Sequence, residues 1–153
     1  MGFRRKSREL VIQTIYALTY SEVNQDFQNL GYINQFREIL DDLVLENEIP
    51  KDSNIYKLAE GILEKIIPKL EFLDEIINRH IQKYDREKVG IIEMNILRLA
   101  VYEMTYEKVP PPVMIDEAVE LGKKYCAEKS PSMINAILDL YKETDLTNNL
   151  KKI

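Results

Sequence analysis

Four cations crowd into five positions near the start of this 153-residue chain: Arg4, Arg5, Lys6 and Arg8, with Ser7 between them and Glu9 directly after. Cations at the start of a helix oppose its macrodipole, which favours acidic residues there. The run therefore works against local helix stability. Phosphate groups supply a compensating reason, because they neutralise both the cations and the free N–H groups of a helix start. Two other readings stay open on composition alone, a solvated tail and a surface for an acidic protein. One turn or more further on, Gln13 falls near the Lys6 side of such a helix and Tyr16 near the Arg5 side. Both offer what a reader of single-stranded RNA needs, hydrogen bonding and a stacking face. Tyr16 equally fits a tyrosine at the rim of the core with a wet hydroxyl.

The charge distribution supports a polar division of labour. The net charge is -5, which by itself argues against nucleic acid. Residues 1–10 nevertheless hold four cations and one anion, while the rest holds 17 cations against 25 anions. An acidic body with a basic tip directs a polyanion to the tip and away from the body.

The parts for catalysis are few. His80 is the lone histidine and Cys126 the lone cysteine. A nucleophile–base pair between them is weakly supported against a structural cysteine. Asp41-Asp42 and Asp116-Glu117 place neighbouring carboxylates about 100° apart on a helix, which suits solvated faces or ion pairs better than a metal site. No Gly-rich phosphate loop is present. No metal and no cofactor are expected, and the chain reads as a binding protein rather than an enzyme. Tyr125 beside Lys123 and Lys124 is a second candidate contact, against the reading of cations placed favourably at a helix C-terminus. Arg98 lies in the most apolar segment, so it is expected in a structural ion pair, with Asp116 or Glu117 as partner.

Six helical segments position these residues. The first, about Arg4 to Tyr20, carries the stripe Val11, Ile12, Ile15, Leu18 and Thr19. Arg4 and Arg8 share that meridian, so the first two turns are expected to project past the core or cover its edge, since burying an unpaired cation is costly. The second, about Asp26 to Glu46, presents Phe27, Leu30, Ile33, Phe36, Leu40, Leu43 and Val44, with a possible break at Gly31. The third, Ile55 to about Gln82, is kinked or split at Pro68. Ile91 to Glu107 is apolar on nearly every side, the pattern of a central helix. The fifth follows Pro110-Pro111-Pro112 to about Ala127, and Gly122 on its apolar face predicts a close helix–helix approach. Ser130-Pro131 reads as a capping hydroxyl and first-turn proline opening the sixth. From Thr144 the polar end is expected to fray.

One domain over residues 1–153 is expected, with no repeat and no linker. The 5 Gly and 6 Pro leave little material for an all-β fold. No apolar run reaches the length of a membrane span, no signal peptide is visible, and the single cysteine excludes an intrachain disulfide. A cytoplasmic protein without membrane contact is the natural reading.

Four motifs, in order, resemble the transcription antitermination factor NusB family. They are Arg4-Arg5-Lys6-Ser7-Arg8-Glu9 followed by Gln13-Thr14-Ile15-Tyr16; Ile96-Leu97-Arg98-Leu99-Ala100-Val101-Tyr102-Glu103-Met104; Ile115-Asp116-Glu117-Ala118-Val119-Glu120-Leu121-Gly122-Lys123; and Ser130 with Ile134-Asn135-Ala136-Ile137-Leu138-Asp139. Residues 21–54 match by helical pattern only. The resemblance implies an all-α fold of six to seven helices in two roughly perpendicular three-helix bundles. It implies binding to single-stranded boxA RNA of ribosomal operons, together with the small-subunit ribosomal protein NusE, on elongating RNA polymerase with other Nus factors, so that termination is suppressed. Matched by position, Arg4, Arg5, Lys6 and Arg8 become RNA contacts, Tyr125 a stacking platform, and Lys129-Ser130 an RNA-facing loop near the tip in space. His80 falls on a family aromatic, against the reading of a surface histidine. Glu75, Tyr84 and Arg86 are candidates for the protein partner. Ala136 stands where the family commonly has Gly, Met133 where an aromatic often contacts RNA, and Lys129 where the residue is often acidic.

Two other readings remain. One is a helical protein–protein adaptor without direct RNA binding, whose basic tip is a solvated tail. RNA cytosine methyltransferases carry a domain of this type, but the helical pattern fills all 153 residues and leaves no catalytic domain among them. Whether the free protein is a monomer or a homodimer that hides its RNA surface stays open.

Overall fold

The structure, a computed structural model, describes residues 2–20, 30–82, 84 and 89–151. Among these the regular structure is helical, without a strand. The order is α1 (Gly2–Tyr20), α2 (Leu30–Glu46), α3 (Asn54–Ile66), a 3-10 turn (Ile67–Lys69), α4 (Leu70–His80), α5 (Ile91–Tyr106), α6 (Pro111–Tyr125), α7 (Ser130–Thr144) and α8 (Leu146–Lys151). The all-α expectation holds. Seven helices are the expected segments with the third divided, and the eighth is a short addition. The chain divides into two compact units, Met1–Lys69 and Leu70–Ile153. The first contains three α-helices, as the resemblance implies, and the second contains five rather than three.

In the first unit α1 packs on both α2 and α3. Val11, Ile15 and Leu18 of the predicted stripe are buried, and Phe36, Leu40 and Val44 of α2 join them with Ala59, Leu63 and Ile66 of α3. Phe27 and the side chains of Leu30 and Ile33 lie outside the described residues, and Gly31 sits within α2 rather than at a break. Ser53 caps α3, its side chain accepting from the Tyr56 backbone N–H, which offsets one of the unsatisfied donors of a helix start. Tyr56 Oη donates to Asp41 at 2.7 Å and Lys51 Nζ donates at 3.1 Å. Burial works against the Asp41 charge, but these bonds outweigh it and hold the carboxyl below its ordinary range. Arg37 bonds Glu60 at 3.3 Å and also pairs with Glu64. Pro68 acts as expected: lacking an N–H, it ends the ladder of α3 and the chain tightens into the 3-10 turn.

In the second unit α5 is the centre, in contact with α4, α6, α7 and α8. Every residue from Met94 to Thr105 is buried. Several polar ones among them are bonded within the unit. Thr105 Oγ1 lies 2.6 Å from Tyr141 Oη, and Tyr102 Oη donates to Glu107 at 2.7 Å. The Arg98 pair is real, but its partner is neither Asp116 nor Glu117. Arg98 Nε and Nη2 donate to the two Asp74 oxygens at 2.6 and 2.7 Å, and Nη1 donates to Asn95 Oδ1 at 2.8 Å. Arg98 therefore faces α4 across α5 rather than α6, while Asp116 is exposed. Gly122 does mark a close approach. A Cβ there would stand 2.8 Å from Ile134 Cδ1 and 3.6 Å from Pro131 Cα, so α6 and α7 pack closely and the Ile134 side chain would have to shift to admit it.

The described residues continue in helix past Thr144. Asp145 caps α7, α8 follows over Leu146–Lys151, and Leu146 is buried. Asn149 donates to Tyr141 Oη at 3.1 Å. These ties hold a segment whose composition alone reads as loose.

Candidate nucleic-acid interface

The basic start is a turn of helix, not a tail. Ser7 is fully buried, and its Oγ lies 2.7 Å from the Phe3 carbonyl and 2.9 Å from the Ile55 carbonyl. One hydroxyl so ties the first turn of α1 to the first turn of α3. Phe3 shares the face of Ser7, Leu10 and Thr14, all buried, yet it is 42% exposed. The helix overruns the core by one turn, about 6 Å of rise. Arg4 is exposed on this overhang, and its guanidinium lies 5.6 Å from the centroid of the Phe3 ring.

The overrun is shorter than expected from the sequence. Arg4 projects, but the second turn does not: Arg8 is 6% exposed and engaged within the protein. Arg8 is buried with a partner rather than projected into solvent. Arg5 and Lys6 are half-buried, Arg5 has a partner, and Lys6 lies 3.9 Å from the buried Glu9 carboxylate. The run thus divides into an outer pair, Arg4 and Arg5, a tethered Lys6, and an inward Arg8. Gln13 and Tyr16 are half-buried further along α1, Tyr16 with a partner of its own.

In the second unit, the connection between α6 and α7 gathers Tyr125, Lys129 and Ser130. Tyr125 is half-buried at the end of α6 with Lys124 Nζ 5.3 Å from its ring centroid, and Lys129 is exposed. Ser130 differs from the expectation. Lys129 occupies the cap position, no side-chain capping bond forms, and the buried Ser130 Oγ donates to Glu93 at 3.2 Å. The same carboxylate reaches Cys126, whose thiol is pushed up to about 12 by burial first and then by the Glu93 charge and hydrogen bond. Glu93, in the first turn of α5, therefore pins both ends of the Cys126–Lys129 connection.

His80 does not join this group. It is 8% exposed, with Nε2 2.8 Å from Asp145 and its ring edge-on to Tyr141 at 5.9 Å. It is neither a surface histidine nor turned outward, because Asp145 draws it to the C-terminal end of α7. That end stands about 22 Å along the helix from Ser130 at its start. Arg79 also reaches Asp145, at 3.5 Å. Of the candidates for a protein partner, Glu75 is exposed on α4, Tyr84 is half-buried and engaged, and Arg86 lies outside the described residues.

This fold has known counterparts. A sequence profile of the NusB family matches residues 5–143. The chain belongs to the NusB family. It is similar to the transcription antitermination protein NusB of Thermodesulfovibrio yellowstonii, 34% identical over 147 residues that make up 95% of each chain. Among solved structures it is similar to T. maritima NusB, with a TM-score of 0.75 and 26% identity over 98% of this chain and 97% of that one. A crystal structure of the antitermination factors NusB and NusE in complex with double-stranded RNA shares the fold, with a TM-score of 0.71 and 23% identity over 100% of this chain and 99% of that one.

Against this NusB-family background, three positions escaped sequence reasoning. Asp74 was hidden because nothing in a periodicity separates one surface carboxylate from another. Glu93 carried a faint signal, an acidic residue in the first turn of an otherwise apolar helix. Phe3 carried a signal as an aromatic beside the arginines, but periodicity places it on the core-facing side and does not show its exposure. No helix among the described residues is long and apolar enough to cross a membrane.

Proposed function

We propose that this protein is a transcription antitermination factor that binds single-stranded boxA-type RNA with a NusE-type ribosomal protein and assists read-through by RNA polymerase and other Nus factors in the cytoplasm. The reading rests on family membership and on one observation. Arg4 stands exposed on a helical turn that Ser7 locks to α3. A fixed cationic turn loses less entropy on meeting phosphates than a loose tail would. Arg4, Arg5 and Lys6 are the proposed phosphate contacts of the first unit, flanked by Gln13 and Tyr16. In the second unit Lys129 is the proposed phosphate contact and Tyr125 a proposed stacking face. Arg8, Ser130 and His80 are assigned to holding the helices in place, since each is buried with a partner. Glu75 and Tyr84 are proposed partner contacts. The role is non-catalytic.

The test is a titration of boxA-type RNA, with and without the NusE-type protein, at two salt concentrations. Wild type is expected to bind more weakly as salt rises, and more tightly with the partner. The R4A/R5A double variant is expected to lower affinity and flatten the salt slope by about 0.7 for each phosphate left without its cation, with unchanged helicity. Partner capture without any RNA binding at low salt would replace this reading by that of a protein–protein adaptor.

A further inference from the structure

We infer that Phe3 is a base-stacking residue, the aromatic platform of the RNA site in the first unit. The inference rests on the RNA-binding reading above and adds to it a contact that reads bases rather than phosphates.

Single exposed apolar residues are common and by themselves mean little. Phe3 differs in three respects. It lies on the face that carries Ser7, Leu10 and Thr14 into the core, so its exposure comes from the overrun of α1 and not from a solvent-facing register. Its backbone carbonyl accepts from the buried Ser7 hydroxyl, which also meets Ile55, so the ring is carried on an ordered turn. The guanidinium of Arg4 lies against the ring at 5.6 Å. An aromatic face joined to a guanidinium is the arrangement that single-strand readers use. A base stacks on the π surface, the cation strengthens that stack, and the following phosphate is met by charge. Double-stranded RNA keeps its bases stacked on one another and does not offer them to such a platform. The ligand this site takes is therefore an unpaired nucleotide.

The experiment measures affinity of the full chain for the boxA-type single strand, with F3A, F3L, F3Y and R4A/R5A compared at two salt concentrations. F3A is expected to weaken binding about tenfold, within the range for loss of one stacked base. F3L keeps an apolar side chain on the same turn and controls for folding. It is expected to bind as weakly as F3A, because it has no π face. F3Y is expected to bind like wild type. The salt slope of F3A is expected to match wild type, since every cation that meets a phosphate is kept, whereas R4A/R5A flattens it. F3A within twofold of wild type, or full binding by F3L, overturns the inference while leaving the RNA reading intact if R4A/R5A still weakens binding. Absence of RNA binding by wild type overturns both.

Discussion

Asp74→Ala is the sharpest probe of how this fold tolerates a cation inside its central helix. Arg98 donates two bonds to the Asp74 carboxylate and a third to the uncharged Asn95 amide oxygen. Removing one partner of a fully buried pair costs about 3–5 kcal/mol, because the other charge is left without compensation. Asp74 retains 31% side-chain exposure, so water reaches the vacated site and lowers the penalty. Asn95 keeps one bond in place. The expected loss is then about 2–3 kcal/mol, which at a urea slope of about 2 kcal/mol/M lowers the unfolding midpoint by about 1 M or more. Urea unfolding followed by far-ultraviolet circular dichroism reads this directly. Asp116→Ala is the control, an exposed carboxylate expected to change stability by less than about 0.5 kcal/mol. Arg98→Met combined with Asp74→Ala is expected to be more stable than Asp74→Ala alone, since no uncompensated charge remains. A loss below about 0.5 kcal/mol in Asp74→Ala, or equal losses in the Asp74 and Asp116 variants, would refute the assignment of the pair.

Two further outcomes follow from the second unit. Gly122→Ala places a methyl 2.8 Å from Ile134 Cδ1, so in that background Ile134→Val, which removes Cδ1, is expected to cost less than its usual ~1 kcal/mol; a double-mutant cycle by thermal unfolding measures the coupling. The Cys126 thiol, raised by burial and by Glu93 to about 12, is expected to react with iodoacetamide at pH 8 far more slowly than a free thiol, and at a normal rate once unfolded. Its folded value lies above the unfolded one, so its stabilising contribution is present below about pH 9 and is lost as pH rises towards about 12; urea midpoints across that range, compared with Cys126→Ala, test the sign.

The helices, their number to within one, and the break at Pro68 were legible in the sequence because they follow from local rules. Apolar spacing sets a face, and a residue without an N–H ends a ladder. Gly122 was legible for a related reason, since a helical glycine is costly unless something close requires it. The basic turn was likewise visible as a run of charge, with its conflict against the helix dipole. Tertiary structure decided which of those charges faces outward. Arg4 and Arg8 share one meridian, yet on a helix tied to α3 through Ser7 and Ile55 the first is exposed and the second is buried with a partner. It also decided that Arg98 meets Asp74, that Ser130 serves Glu93 rather than its own helix, and that His80 turns to Asp145 and helps keep α8 in place. The division has one physical cause. A side chain's periodicity is a property of its own helix, whereas its exposure and its partner depend on where a neighbouring helix starts, and that is set by contacts between residues far apart in the chain.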